Sequence, residues 1–253
     1  MKKIKSQEAP QQYLTAKQFL ADLEALRSSA VDNSKYFRSE DVWNKFMHVR
    51  MVAIFTLAKK FMQMPVAEIK KLLASDFYEA RMGAVSIMDF KARDKKITDE
   101  ERKVLYELYL RNHDKINNWD LVDRSAPYVV GGYLSDKPRK VLYKLAKSKN
   151  VWERRTAIVS TYYFIRQNDI EDTFKIAELL VNDKHDLVNK AVGSWIREAG
   201  KKDIKRLLSF LDKYAATMPG ITLRYAVEKF NKATRDHYLG LQISKHNSSK
   251  RQP

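Results

Sequence analysis

"VWERRTAIV", residues 151–159, places Arg155 in the middle of an otherwise apolar run. At helical pitch the arginine sits among side chains that belong in a core, which costs stability unless the cation finds a partner. The arrangement recurs. "EARMGAV" (79–85) carries Arg81, "VNKAVGSW" (188–195) carries Lys190 and "TLRYAVEKF" (222–230) carries Arg224. Arg81 and Arg155 are 74 residues apart, two steps of 37; Lys190 follows 35 later and Arg224 another 34. A period in the mid-thirties with two helices per unit is the signature of a helical solenoid of the HEAT type, in which each unit buries its apolar face against its neighbours. The expected fold is all-α, a right-handed α-α superhelix of HEAT-like repeats.

The rest of the chain agrees. Seven glycines and six prolines in 253 residues leave little material for β-turns. Phe19, Leu20, Leu23 and Leu26 form one stripe at three- and four-residue spacing. Helix starts are marked by Asp76 with Glu79, Thr98 with Glu101 and Asn150 with Glu153, a cap residue followed three later by a glutamate. In "SDKP" (135–138) a proline stands where a first helical turn tolerates one. The expected organisation is a disordered segment over 1–12, one repeat domain over 13–240 and a basic disordered tail over 241–253.

Charge points to the partner. Lys plus Arg number 48 against 31 Asp plus Glu, a net of +17, and such an excess suits a polyanion, most often nucleic acid. No cysteine is present, so disulfides and thiolate metal sites are excluded. The five histidines have no metal-ligand spacing, and no phosphate-binding glycine loop, dinucleotide motif or serine-nucleophile motif occurs. Neither a metal nor an organic cofactor is expected. No apolar run approaches the roughly 20 residues that span a bilayer. "MKKIKSQEAPQQ" (1–12) lacks the apolar core and cleavage site of a secretory signal, so a cytoplasmic monomer with no membrane partner is expected.

One repeat is built differently. Counting 37 from Arg81 leads to residue 118, and "NNWDLVDRSAPYVVGG" (117–132) has Trp119 and Asp120 there instead of a cation. Trp119 and Asp123, four apart, share a helix face, whereas Asp120 is turned by about 100°. An indole face can hold a cation and a carboxylate beside it can stabilise developing positive charge. The plainer alternative is a packed indole with an aspartate bonding a helix end. Two basic stretches accompany this pair. Lys137 to Arg155 holds eight basic residues, Arg154 and Arg155 among them, and a single acid, Glu153. "KAVGSWIREAGKKD" (190–203) holds Lys190, Trp195, Arg197, Lys201 and Lys202. Both suit phosphate contacts, and both also suit a solvated helix face.

Taken together, "NNWDLVDRSAP", "VWERRTAIV", "NKAVGSWIREAGKKD" and "MPGITLRYAVEKF" resemble, in order and interval, the AlkD family of DNA alkylation repair proteins, from roughly Phe77 to Phe230. The resemblance implies a solenoid that grips duplex DNA and a glycosylase that removes positively charged N-alkylated purines of the 3-methyladenine and 7-methylguanine types. By position, Trp119 would contact the cationic nucleotide, Asp123 would stabilise the sugar cation and position a water, and Arg155 would hold DNA beside the lesion. Lys190, Arg197, Trp195, Arg154 and Lys201 would contact the DNA. The chain departs from the family at Ser194, where active members carry a tryptophan; here Trp195 comes one residue later. "MPGITLRY" also has Gly220 and Ile221 where a basic residue is common. The alternative reading is a non-catalytic solenoid that binds bent or branched DNA, or an acidic protein partner.

Overall fold

The computed structural model describes residues 14–32, 34 and 44–249, with side chains as far as 242. The expected disordered segment over 1–12 lies outside these residues. The described residues are helical apart from turns, loops and one isolated bridge between Lys45 and Phe77. Among them no helix is long and apolar enough to cross a membrane. Where one continuous domain is expected, the chain divides into two compact units, residues 1–91 and 92–253.

The first unit contains α1 (Ala16–Glu24), α2 (Met51–Lys60), α3 (Val66–Leu73) and most of α4 (Tyr78–Ala92). The expected stripe buries Phe19 and Leu23 completely, but α1 ends at Glu24 and leaves Leu26 exposed. Phe19 lies over Gly83 of α4, where any β-carbon would come within 2.3 Å of its ring. Asp76 and Glu79 do not form the expected reciprocal cap. Glu79 is fully buried and accepts the backbone N–H groups of Met47 and His48, both at 2.9 Å, holding His48 at a φ of 58°. Arg81 is also fully buried, donating to the Ser75 carbonyl at 2.7 Å and to the Asn44 side chain. The repeat cation here is a strut within the unit.

The second unit contains α5 (Asp99–Arg111), α6 (Trp119–Ser125), a π-helical turn (Ala126–Gly131), α7 (Lys140–Leu145), α8 (Val151–Ser160), α9 (Tyr162–Arg166), α10 (Glu171–Leu180), α11 (Asp186–Gly200), α12 (Ile204–Tyr214), α13 (Gly220–Ala226) and α14 (Lys232–Ser249). Thr98 and Glu101 form a true capping box at the start of α5. At α8 Asn150 caps the Trp152 amide. Helices α6, α8, α11 and α13 pack each on the next as a row, with α7, α10, α12 and α14 against them. This is the neighbour-on-neighbour stacking that the period predicts.

Two glycines fix how closely the row packs. A β-carbon on Gly131 would lie 2.2 Å from the Ser160 carbonyl and 3.0 Å from Tyr163 Cβ. One on Gly193 would lie 2.4 Å from the Thr222 carbonyl and 2.6 Å from Tyr225 Cβ. The two glycines meet the same two positions, 29 and 32 residues further on.

Two features depart from the sequence expectation. Pro127 has no N–H to continue the α-helical ladder, so the path widens after α6 and the Gly132 N–H reaches back five residues to the Pro127 carbonyl. At the other end, the segment expected as a disordered tail from 241 is helical to Ser249. The lone Gly240 costs about 1 kcal/mol and does not end α14, because the helix is docked on both sides of it. Tyr238 Oη donates to Asp212 at 2.7 Å and Gln242 Nε2 to the Met218 carbonyl at 2.7 Å. Residues 250–253 lie outside the described residues.

Candidate active site

Trp119 opens α6, following Asn118, whose extended backbone (φ −144°, ψ 157°) sets the start of the helix. Asp120 turns back to this start, accepting from Asn118 Nδ2 at 2.9 Å and from the Leu121 N–H at 2.8 Å. It serves the helix end, as the 100° rotation from Trp119 requires. Asp123, one turn beyond Trp119, faces the neighbouring helix instead.

Arg155 meets it there. Its Nε donates to Asp123 Oδ1 at 2.9 Å and its Nη2 to Oδ2 at 2.7 Å, a bidentate pair between α6 and α8. Nη1 donates to the Leu187 carbonyl in the first turn of α11. The arginine side chain is only 8% exposed, whereas the carboxylate keeps 33%. One buried cation thus spans three helices of the row and presents a fixed carboxylate to solvent. Trp119, one helical turn before Asp123, is half-buried.

Behind this pair lies a cluster of hydroxyl groups. Tyr109 of α5 and Thr156 of α8 share a hydrogen bond of 2.9 Å, both buried, and Ser125 Oγ donates to the Leu121 carbonyl at 2.8 Å. Burial pushes the Tyr109 phenol well above its usual range, and the nearby Asp123 carboxylate adds to the shift. His113 stands edge-on to Tyr109 at 5.2 Å, buried, with neither ring nitrogen hydrogen-bonded. Burial pushes its pKa down. Sequence reasoning passed over Tyr109 and Thr156; the one available signal was a threonine inside the apolar run of α8.

The remaining expected residues divide sharply. Lys190 is half-buried on α11, one turn beyond Leu187. Arg154 is committed elsewhere: it pairs with Asp183 through Nε at 2.6 Å and Nη2 at 3.1 Å, and its Nη1 reaches the Ser148 and Lys149 carbonyls at 3.0 Å. Asp183 is 5% exposed, so this is an internal clamp. Arg197 pairs with Glu228, just past the end of α13, and approaches the Tyr225 carbonyl at 3.3 Å. Lys201 is exposed and pairs with Glu198 at 2.7 Å. Trp195 stacks on Tyr162 with centroids 4.9 Å apart and planes inclined by 38°, while Ser194 is half-buried next to it.

The geometry offers a carboxylate held in one orientation and partly open to solvent, one helical turn from a half-buried tryptophan. A family model described as DNA alkylation repair enzyme matches residues 19–230 of the chain. No curated protein matches it.

Proposed function

The chain belongs to the DNA alkylation repair enzyme family, and from that premise we propose that it is a DNA glycosylase removing positively charged N-alkylated purines, of the 3-methyladenine and 7-methylguanine types, from duplex DNA. The observation that carries this reading is the Asp123 carboxylate, held in one orientation by buried Arg155 and one helical turn from Trp119.

The chemistry suits those groups. Alkylation at a ring nitrogen makes the base cationic and already a good leaving group, so strong acid catalysis is unnecessary. Breaking the N-glycosidic bond builds oxocarbenium charge on the sugar, which the Asp123 carboxylate stabilises while orienting a water towards the anomeric carbon. The Trp119 face attracts the cationic nucleotide. Arg155 acts mainly by fixing Asp123, since three of its five donors are used inside the protein and it is buried. Lys190 takes the phosphate-contact role. Hydrolysis needs no cofactor, and the enzyme acts as a cytoplasmic monomer. With no cysteine in the chain, a soft thiolate acceptor for direct methyl transfer is lacking, which favours base release.

One observation favours the rival reading of a DNA-binding protein without turnover: Trp195 stacks on Tyr162 and Ser194 occupies the preceding position. Incubation with methylated duplex DNA, followed by chromatography of the released small molecules, separates the two. Free methylated purine and an abasic strand support the glycosylase; a bound but unchanged duplex supports the rival.

A further inference from the structure

Asp123 is the fifth residue of α6, and the fifth residue of the next three helices of the row is Arg155 in α8, Lys190 in α11 and Arg224 in α13. Because each helix packs on the next, these residues follow one another across the row as one carboxylate and three cations. The cations are used unequally. Arg155 is buried and committed to Asp123 and the Leu187 carbonyl. Lys190 is half-buried and Arg224 exposed, and among the described residues neither has a hydrogen bond or an ion pair. The Arg224 side chain lies back along α13, as helical side chains do: a β-carbon on Gly220, the first residue of that helix, would stand 3.4 Å from Nη1.

The order of charges decides what can lie on this line. Arg155 neutralises Asp123, and a phosphate directly at the carboxylate would meet no net attraction. One and two helices further on the charge is positive and unopposed. The other cations of α8 and α11, Arg154 and Arg197, are paired with Asp183 and Glu228, so the free charge of these helices sits at the fifth positions. A half-buried ammonium without a counter-ion has lost part of its hydration, which a bound anion makes good. Helices packed side by side have axes about 8–10 Å apart. Cations carried on separate helices at that spacing match charges repeated along a polymer, which a single small anion does not supply.

We propose that Lys190 and Arg224 form a phosphate track leading one way from Asp123, each holding a backbone phosphate of the DNA on the α11 and α13 side of the reacting sugar. This rests on the reading of duplex DNA as the partner and of Asp123 as the reacting centre. Lys190 acts as a point charge, and Arg224 brings a fork of donors suited to two phosphate oxygens. The grip of Arg224 therefore falls on DNA to one side of the reacting nucleotide.

The test is binding of a duplex carrying one stable abasic-site analogue, measured by fluorescence anisotropy across a salt series. Wild type, Arg224→Ala and Lys175→Ala are compared, the last removing one exposed charge from α10. Arg224→Ala is expected to weaken binding about three- to tenfold and to make the plot of log affinity against log salt shallower by about one. Lys175→Ala is expected to change neither quantity. Arg224→Gln, which keeps a long polar side chain, carries the test should Arg224→Ala prove unstable. The comparison is repeated with the duplex cut back close to the analogue on one side or the other. The ratio of wild-type to Arg224→Ala affinity is expected to fall to about one with one of these duplexes and to persist with the other. Values for the Arg224 variants equal to those of Lys175→Ala, or a ratio that neither truncation changes, would overturn the track and leave the glycosylase reading intact. A wild-type protein that binds no duplex would overturn the DNA reading itself, and the track with it.

Discussion

Arg155 holds both carboxylate oxygens of Asp123, at 2.9 and 2.7 Å, and gives a third hydrogen bond to the Leu187 carbonyl. The residue that marks the sequence repeat is thus also the residue that sets the carboxylate. Elsewhere in the repeat the cation is used differently: Arg81 is an internal strut, Lys190 is half-buried and Arg224 is exposed. Beside the repeat in which Trp119 and Asp120 stand in place of the cation, Arg155 meets a carboxylate, Asp123, that is itself partly open to solvent.

Arg155→Lys is the first test of that role. An ammonium cannot form the two-pronged contact, so the carboxylate is expected to lose its fixed orientation. Base release in single turnover should fall at least about tenfold, while affinity for undamaged duplex changes little. A loss of duplex affinity equal to the loss of rate would make Arg155 a phosphate contact.

Arg154→Ala should behave differently although the residue is adjacent. Its partner Asp183 is nearly buried, and stranding that charge is expected to cost about 1–3 kcal/mol. Thermal melting should drop by several degrees with duplex affinity unchanged. An unaltered melting temperature together with weakened binding would contradict the clamp.

The contrast between these neighbours shows what the sequence could and could not reveal. Helical periodicity made the all-α fold legible, and Thr98 with Glu101 marked a real helix start because capping is a local interaction. Asp76 with Glu79 looked the same on paper, yet Glu79 is drawn to the Met47 and His48 amides by a contact spanning more than thirty residues. The Trp119–Asp123 spacing was readable, since four residues bring two side chains to one face. Arg154 and Arg155 were given different roles but both were expected to meet DNA; that each is held by a carboxylate was hidden, because their partners lie 29 and 32 residues away on different neighbours. Pro127 hid the π-helical turn: periodicity gives a helix, not the widening that a missing N–H produces.

Gly193→Ala tests the close packing of the row. A β-carbon 2.4 Å from the Thr222 carbonyl forces α11 and α13 apart, and overpacking of this kind costs about 1–3 kcal/mol. A melting temperature equal to that of the wild type would show that the contact is not as tight as described.

His113 predicts an acid dependence of stability. In the native protein burial lowers its pKa, so the ring stays neutral, whereas in the unfolded chain it titrates near the ordinary histidine value of about 6.5. Below that pH the unfolded state binds a proton that the native state does not, and stability falls with pH until the native pKa is passed. Above it the residue contributes no pH dependence. Melting at pH values of about 5 and 7.5 should therefore differ more for the wild type than for His113→Phe. An equal difference in both proteins would assign the acid sensitivity to other groups.

In the proposed reaction Asp123 carries the chemistry. The most direct measurement is single-turnover release of methylated purine from methylated duplex DNA, wild type against Asp123→Asn, with duplex affinity measured on the same preparations. Release is expected from the wild type, with a loss of about a hundredfold or more in the variant and affinities within about twofold of each other. Equal release by the two proteins, or no release by wild-type protein that binds the duplex, would contradict that role.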